Sequence, residues 1–135
     1  MNGAKGTQNI ALVEVFDLDS AAPSQLLNIS TRGHVATGEG VMIAGMIIGG
    51  TDAETLVFRG LGPSVAAGPL LISDALPDPM LTLVEGQGST LFANDDWEDA
   101  QAADILGTGL APPEAGGCHS HHARPGKLHR AFVRC

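Results

Sequence analysis

Apolar positions along this chain come in short runs separated by glycine, proline and small polar residues, and none holds the 3.6-residue period over more than two turns. Ile10–Phe16 (I-A-L-V-E-V-F) reads as a strand with Leu12 on one face and Val13 and Val15 on the other, covered on both sides. Asp17–Ser24, with Pro23 inside it, reads as a turn, and Leu26–Thr31 as a second extended run ending at Arg32–Gly33. Val41–Ile48 is the most apolar stretch and predicts a buried strand between Gly38–Gly40 and Gly49–Gly50. Leu56–Arg59 predicts another, running into a Gly60-Leu61-Gly62-Pro63-Ser64 turn. Pro77-Asp78-Pro79 is a hard stop. Beyond it Leu81–Val84 and Thr90–Ala93 flank Glu85–Ser89 as a hairpin. Ala100–Leu106 has room for one or two helical turns, and Ala131–Val133 closes the chain as a short strand. Strands recurring every 8–15 residues predict an all-β antiparallel sandwich, jelly-roll-like in type.

Composition agrees with that pattern and changes one thing. Eighteen glycines, eight prolines and 44% apolar residues in 135 suit one strand-rich domain with a buried core. The formal charge of −8, however, is an average of two unlike parts. Residues 1–114 hold all fifteen acids against three bases, a net −12; residues 115–135 hold four bases and no acid, a net +4. The same 21 residues carry both cysteines and four of the five histidines. The chain therefore divides into a polar lead (1–9), a sandwich module (10–114) and a basic His/Cys-containing tail (115–135) ending in a short strand. An acidic body argues against a nucleic-acid partner. No apolar run approaches the ~20 residues of a membrane-spanning helix, and no apolar signal segment follows Met1. Cys118 and Cys135 allow at most one intramolecular disulfide.

Several segments resemble a β-sandwich repeat family of large bacterial secreted or surface proteins: Ala11–Asp19 (ALVEVFDLD), Asn28–Gly33 (NISTRG), Gly45–Gly50 (GMIIGG), Arg59–Val65 (RGLGPSV), Asp78–Val84 (DPMLTLV), Ala93–Trp97 (ANDDW) and Gly109–Pro113 (GLAPP). The second half is also similar to the pre-peptidase C-terminal modules of secreted proteases. The resemblance covers roughly residues 10–114. It implies an extracellular or cell-surface, non-catalytic module with a structural, adhesive or binding role, and names no ligand; a carbohydrate or cell-surface polymer is the expected class of partner. In such arrays ALVEVFDLD would be the last strand of a module and an A-x-V-R strand would precede it. Here the first lies at the start of the chain and its expected partner, Ala131–Arg134, at the end, so the module looks circularly permuted. Its first strand is expected either to close its own sandwich or to be exchanged with a second copy of the chain.

The tail departs from the family, which would continue after GLAPP with an apolar strand, a Pro-Gly turn and Tyr-Thr. Cys118–Arg130 reads C-H-S-H-H-A-R-P-G-K-L-H-R instead. Back-translated one nucleotide out of frame, it permits V-I-L-T-T-L-A-P-G-S-Y-T, which suggests a local frameshift in the coding sequence. The segment as it stands predicts a disordered tail or an open sandwich edge.

Two clusters carry chemistry. His119, His121 and His122, with Cys118, His129 and Cys135, suit zinc or another transition metal. A small metal-dependent hydrolase of an ester or lactone, with Asp95 as base, is the alternative function they suggest. Asn94-Asp95-Asp96-Trp97-Glu98-Asp99 groups hard oxygen donors, and Asp95, Asp96 and Asp99 are the candidate calcium ligands, although the EF-hand pattern is missing. The plainer alternative is a solvated turn with Trp97 packed as a core lid. Ser64 lacks a nucleophile elbow and its glycines lack a phosphate-loop Lys, and His34 is read as a polar loop residue.

Overall fold

The computed structural model describes residues 9–19, 28–36, 40–47, 49–67, 74–113, 118–123 and 128–134. Among these residues eight strands form two antiparallel four-stranded sheets. In chain order they are β1 (Asn9–Asp17), β2 (Asn28–Val35), β3 (Met42–Ile47), β4 (Glu54–Leu61), β5 (Met80–Glu85), β6 (Thr90–Asn94), β7 (Cys118–Ala123) and β8 (Leu128–Arg134). Short helices follow β4 (α1, Pro63–Ala67) and β6 (α2, Ala102–Thr108), the latter preceded by a 3-10 turn at Trp97–Asp99.

One sheet runs β2-β1-β4-β7 and the other β3-β8-β5-β6. Counted cyclically from β2, with β1 last, these orders become 1-8-3-6 and 2-7-4-5, the two sheets of an eight-stranded jelly roll. β1, first in the chain, thus occupies the place of a jelly roll's final strand. It pairs with β2 and β4 of its own chain, so the sandwich closes without exchange. Its expected partner β8 lies in the opposite sheet, between β3 and β5. The segment after Asp74 nonetheless links the two strands: Ile10 bonds to Asp74 and Leu76, and Arg134 stands opposite Met80.

The core lies between the sheets, as alternation dictates. Ala11, Val13 and Val15 of β1, Val35 of β2 and Leu56 and Phe58 of β4 meet Ala44 and Met46 of β3, Leu81 and Leu83 of β5 and Ala131 of β8. A second, smaller core covers the outer face of the first sheet. The segment after β6 crosses that face, laying Trp97 and Ile105 on Val57, with Phe16, Ala102, Leu110 and Ala111 around them. β1 is therefore covered on its inner face throughout and on its outer face at Phe16. Gly109 ends α2 at φ +72°, donating its N–H to the Leu106 carbonyl, a left-handed cap that glycine adopts without strain.

Four expectations need correction. Arg32–Gly33 does not end its strand: β2 runs on to Val35, and the pairing of Gly33 with Ala11 and Arg32 with Leu12 carries the ladder past the glycine. His34 consequently lies within β2, opposite Ile10, and is exposed rather than in a loop. The apolar Val41–Ile48 segment is not buried on both faces. β3 sits at a sheet edge, with Ile43 53% and Ile47 64% exposed; a continuous apolar run does not say how many neighbours its strand will have. Cys118–Arg130, expected to be disordered or to leave an edge open, supplies β7 and the first residues of β8, whose remainder takes in the strand expected at Ala131–Val133. β4 and β5 present backbone ladders that can pair with any sequence able to extend, so the sheet forms there despite the tail's polar composition.

Candidate functional site

The acidic loop is built by the way the chain leaves β6. Asn94, the last residue of that strand, is buried, and Trp97 three residues later drops into the second core. Between and beyond these anchors Asp95, Glu98 and Asp99 are left exposed and Asp96 half-buried. The 3-10 turn is fastened by its own backbone, Asp99 N–H to the Asp96 carbonyl at 3.1 Å, and the Asp96 N–H is 3.2 Å from the Asp95 carboxylate. Asp96, Trp97, Glu98 and Asp99 line a shallow pocket of about 150 Å³. Desolvation, followed by the negative fields of Asp95, Asp99, Asp78 and Glu98, raises the Asp96 carboxyl above its ordinary value. The loop is a turn dense in like charge whose single aromatic group faces inward. Trp97 lies as a lid on the second core, and that packing anchors the loop. Among the described residues no three His, Cys, Asp or Glu side chains converge in a way that could hold a metal ion.

The histidine cluster is positioned by β7, which pairs with β4 at the edge of the first sheet. Positions 119 and 121 stand opposite Phe58 and Leu56, and position 122 opposite Thr55. Directly opposed residues of an antiparallel pair share a face. The register therefore puts positions 119 and 121 on the face that Phe58 and Leu56 give to the core, and position 122 on the other. Strand alternation separates His122 from the two residues it was grouped with. His129 falls in β8, opposite Met46, in the second sheet, and Cys135 lies outside the described residues.

Two polar residues of structural weight went unmarked in the sequence reading. Glu54 is fully buried at the start of β4, opposite Ala123, on the same face as positions 119 and 121. Arg59 joins three elements. Its guanidinium closes on one oxygen of Glu14, Nε at 2.9 Å and Nη2 at 2.5 Å. Nη1 donates to the Leu110 carbonyl at 3.0 Å, and the group stands 5.2 Å from the Phe16 ring centroid. Glu14 and Arg59 are direct cross-strand neighbours, so β1 and β4 are cross-linked and the segment after α2 is tied to both. A signal for the pair existed, since each is the lone charge within the apolar run read from the sequence, Ile10–Phe16 and Leu56–Arg59; only the register shows that they face one another.

The chain was compared with protein-family models, curated proteins and solved structures, and none of the three gave a match.

Proposed function

We propose that the chain is a non-catalytic β-sandwich module of the extracellular or cell-surface type, similar to pre-peptidase C-terminal-type repeats and circularly permuted in phase, with a structural, adhesive or binding role. The observation that carries this reading is the use made of the conspicuous polar and aromatic groups. Arg59 and Glu14 fasten β1, β4 and the segment after α2, and Trp97 turns the acidic loop into a lid on the second core. These groups serve architecture, and a fold by itself assigns no chemistry. Among the described residues no helix is long and apolar enough to cross a membrane. The partners of such a module are a second copy of itself and a carbohydrate or cell-surface polymer.

A second reading, a metal-dependent hydrolase of an ester or lactone with Asp95 as base, has one observation in its favour: β7 sets positions 119 and 121 on one face of the sheet, which also holds the buried Glu54. Metal analysis of protein purified without a histidine tag, together with an ester and lactone panel run with and without zinc, separates the two. The module reading expects no stoichiometric transition metal and no turnover. A bound metal and an activity that both vanish in a His121→Ala/His122→Ala variant would overturn it. A calcium-stabilised carbohydrate-binding module is tested in the same preparation: a melting temperature raised by calcium, and the rise lost in Asp96→Ala, would establish it.

The frameshift reading of Cys118–Arg130 is compatible with the register: position 119, opposite Phe58 on the core-facing side of β4, is one that the shifted frame permits to be isoleucine. The coding DNA tests it directly, and a shifted frame without an apolar strand there ends the idea.

A further inference from the structure

A sandwich of two open sheets has four edges, and three of them here are guarded against pairing. β2 carries exposed Arg32 and His34. β6 is only five residues long, pairs through a bulge, and runs directly into the acidic loop. β7 is polar and is followed by Arg124 and Lys127. Charge, shortness and bulges are the ordinary devices that keep an edge from pairing. β3, one residue longer than β6, carries neither charge nor bulge. Residues 40–51 contain no charged residue and no proline, no described strand pairs with the outer edge of β3, and Ile43 and Ile47 project from its outer face.

We propose that this edge is a self-association surface, at which β3 pairs antiparallel with β3 of a second copy about a two-fold axis through Gly45; the idea refines the self-partnering named above by giving it a place. Ile43-Ala44-Gly45-Met46-Ile47 is nearly palindromic about the glycine. Facing rules require paired residues to share a side of the sheet, which any axis through a residue satisfies; the axis at Gly45 also sets isoleucine against isoleucine. Ile43 meets Ile47 of the second copy on the outer face, and Ala44 meets Met46 on the core side. Gly45 meets itself, in space that is open around its α-carbon. Charge permits a second copy at this place. Two chains of −8 repel, but residues 40–51 carry no acid, the nearest being Glu39 and Asp52 beyond either end of the stretch, and positions 29, 31, 33 and 35 of the neighbouring β2 edge are uncharged as well. The area sets the strength. Six residues make a seam of about 20 Å across sheets about 10 Å apart, a patch well below the ~800 Å² per partner of a stable complex. The dimer is therefore of the weak, reversible class.

The test is sedimentation of the full chain from about 1 µM to about 1 mM. The weight-average mass should climb from 13.8 kDa towards twice that value. An Ile43→Lys/Ile47→Lys variant, whose substituted side chains are already exposed, should stay monomeric with an unchanged circular dichroism spectrum, while Leu106→Lys on α2 should associate as the parent does. The register is read separately: in a Cys118→Ser/Cys135→Ser background, Gly45→Cys should oxidise to a covalent dimer, since opposed α-carbons lie within disulfide range, and Ile43→Cys should not. A parent chain that stays monomeric throughout, a dimer indifferent to the lysine pair, or a dimer that Gly45→Cys fails to trap would each overturn the proposal. None of these outcomes bears on the non-catalytic reading, which stands or falls on the metal and ester assays.

Discussion

Removing the Trp97 side chain asks whether the acidic loop is held by packing or waits for a ligand. Trp97 is 7% exposed and rests on Val57 and Ile105. A buried tryptophan removes roughly 200 Å² from water, which at about 25 cal/mol per Å² amounts to about 5 kcal/mol. Measured Trp→Ala changes in cores cost about 3–5 kcal/mol. Because the second core is small and can collapse part of the way into the space left, the lower half of that range is expected, about 3–4 kcal/mol. For a domain of this size that corresponds to a fall in melting temperature of roughly 10–15 °C. Trp97→Ala would be compared with Trp97→Phe by urea denaturation followed by far-ultraviolet circular dichroism, and Phe should recover more than half of the loss. The chain has a single tryptophan, so the parent's fluorescence also reports this one site, with blue-shifted emission in the folded state. A loss below about 1 kcal/mol in Trp97→Ala, the size of an ordinary surface change, would refute the argument that packing on the sheet shapes the loop.

Other substitutions test the remaining contacts. Arg59→Met should cost about 2–3 kcal/mol, because it leaves the Glu14 carboxylate, 17% exposed, without its partner and frees the Leu110 carbonyl; Arg59→Lys should recover only part, since an ammonium cannot reproduce the two-directional fork, and urea midpoints of both variants decide it. Gly62→Ala should destabilise by more than about 2 kcal/mol, as its β-carbon would run into the Leu76 carbonyl at the corner between β4 and β5; a midpoint equal to the parent's would remove that account of why glycine stands there. Asp96 has a carboxyl raised in the fold, so its protonated form is the favoured one: its contribution is fully present below the unfolded value of about 3.9 and is lost as pH rises through the higher folded value. Asp96→Asn should therefore melt above the parent at pH 7, with the gap closing below about pH 4; a gap that widens on acidification contradicts the sign.

The class of fold was legible in the chain alone because its causes are local. Short apolar runs between glycine and proline can make only short strands, and the Pro77–Pro79 stop and the Glu85–Ser89 connection mark β5 and β6 within a residue or two of where they lie. The inward packing of Trp97 was one of two readings open to the sequence. What the chain could not show were quantities that belong to pairs of distant strands. Which strand lies at an edge depends on neighbours far along the chain, so the most apolar segment, β3, turned out half-exposed while polar β7 entered a sheet. That Glu14 meets Arg59, and that position 122 parts from positions 119 and 121, are consequences of register, in which one residue of slip moves every side chain to the other face. Within the histidine run, alternation along β7 keeps positions 119 and 121 together and sends position 122 to the other side. Composition and punctuation determined that this protein is a β-sandwich; tertiary pairing decided which of its residues stand together, because contact across a sheet is set by alignment between strands and not by proximity in sequence.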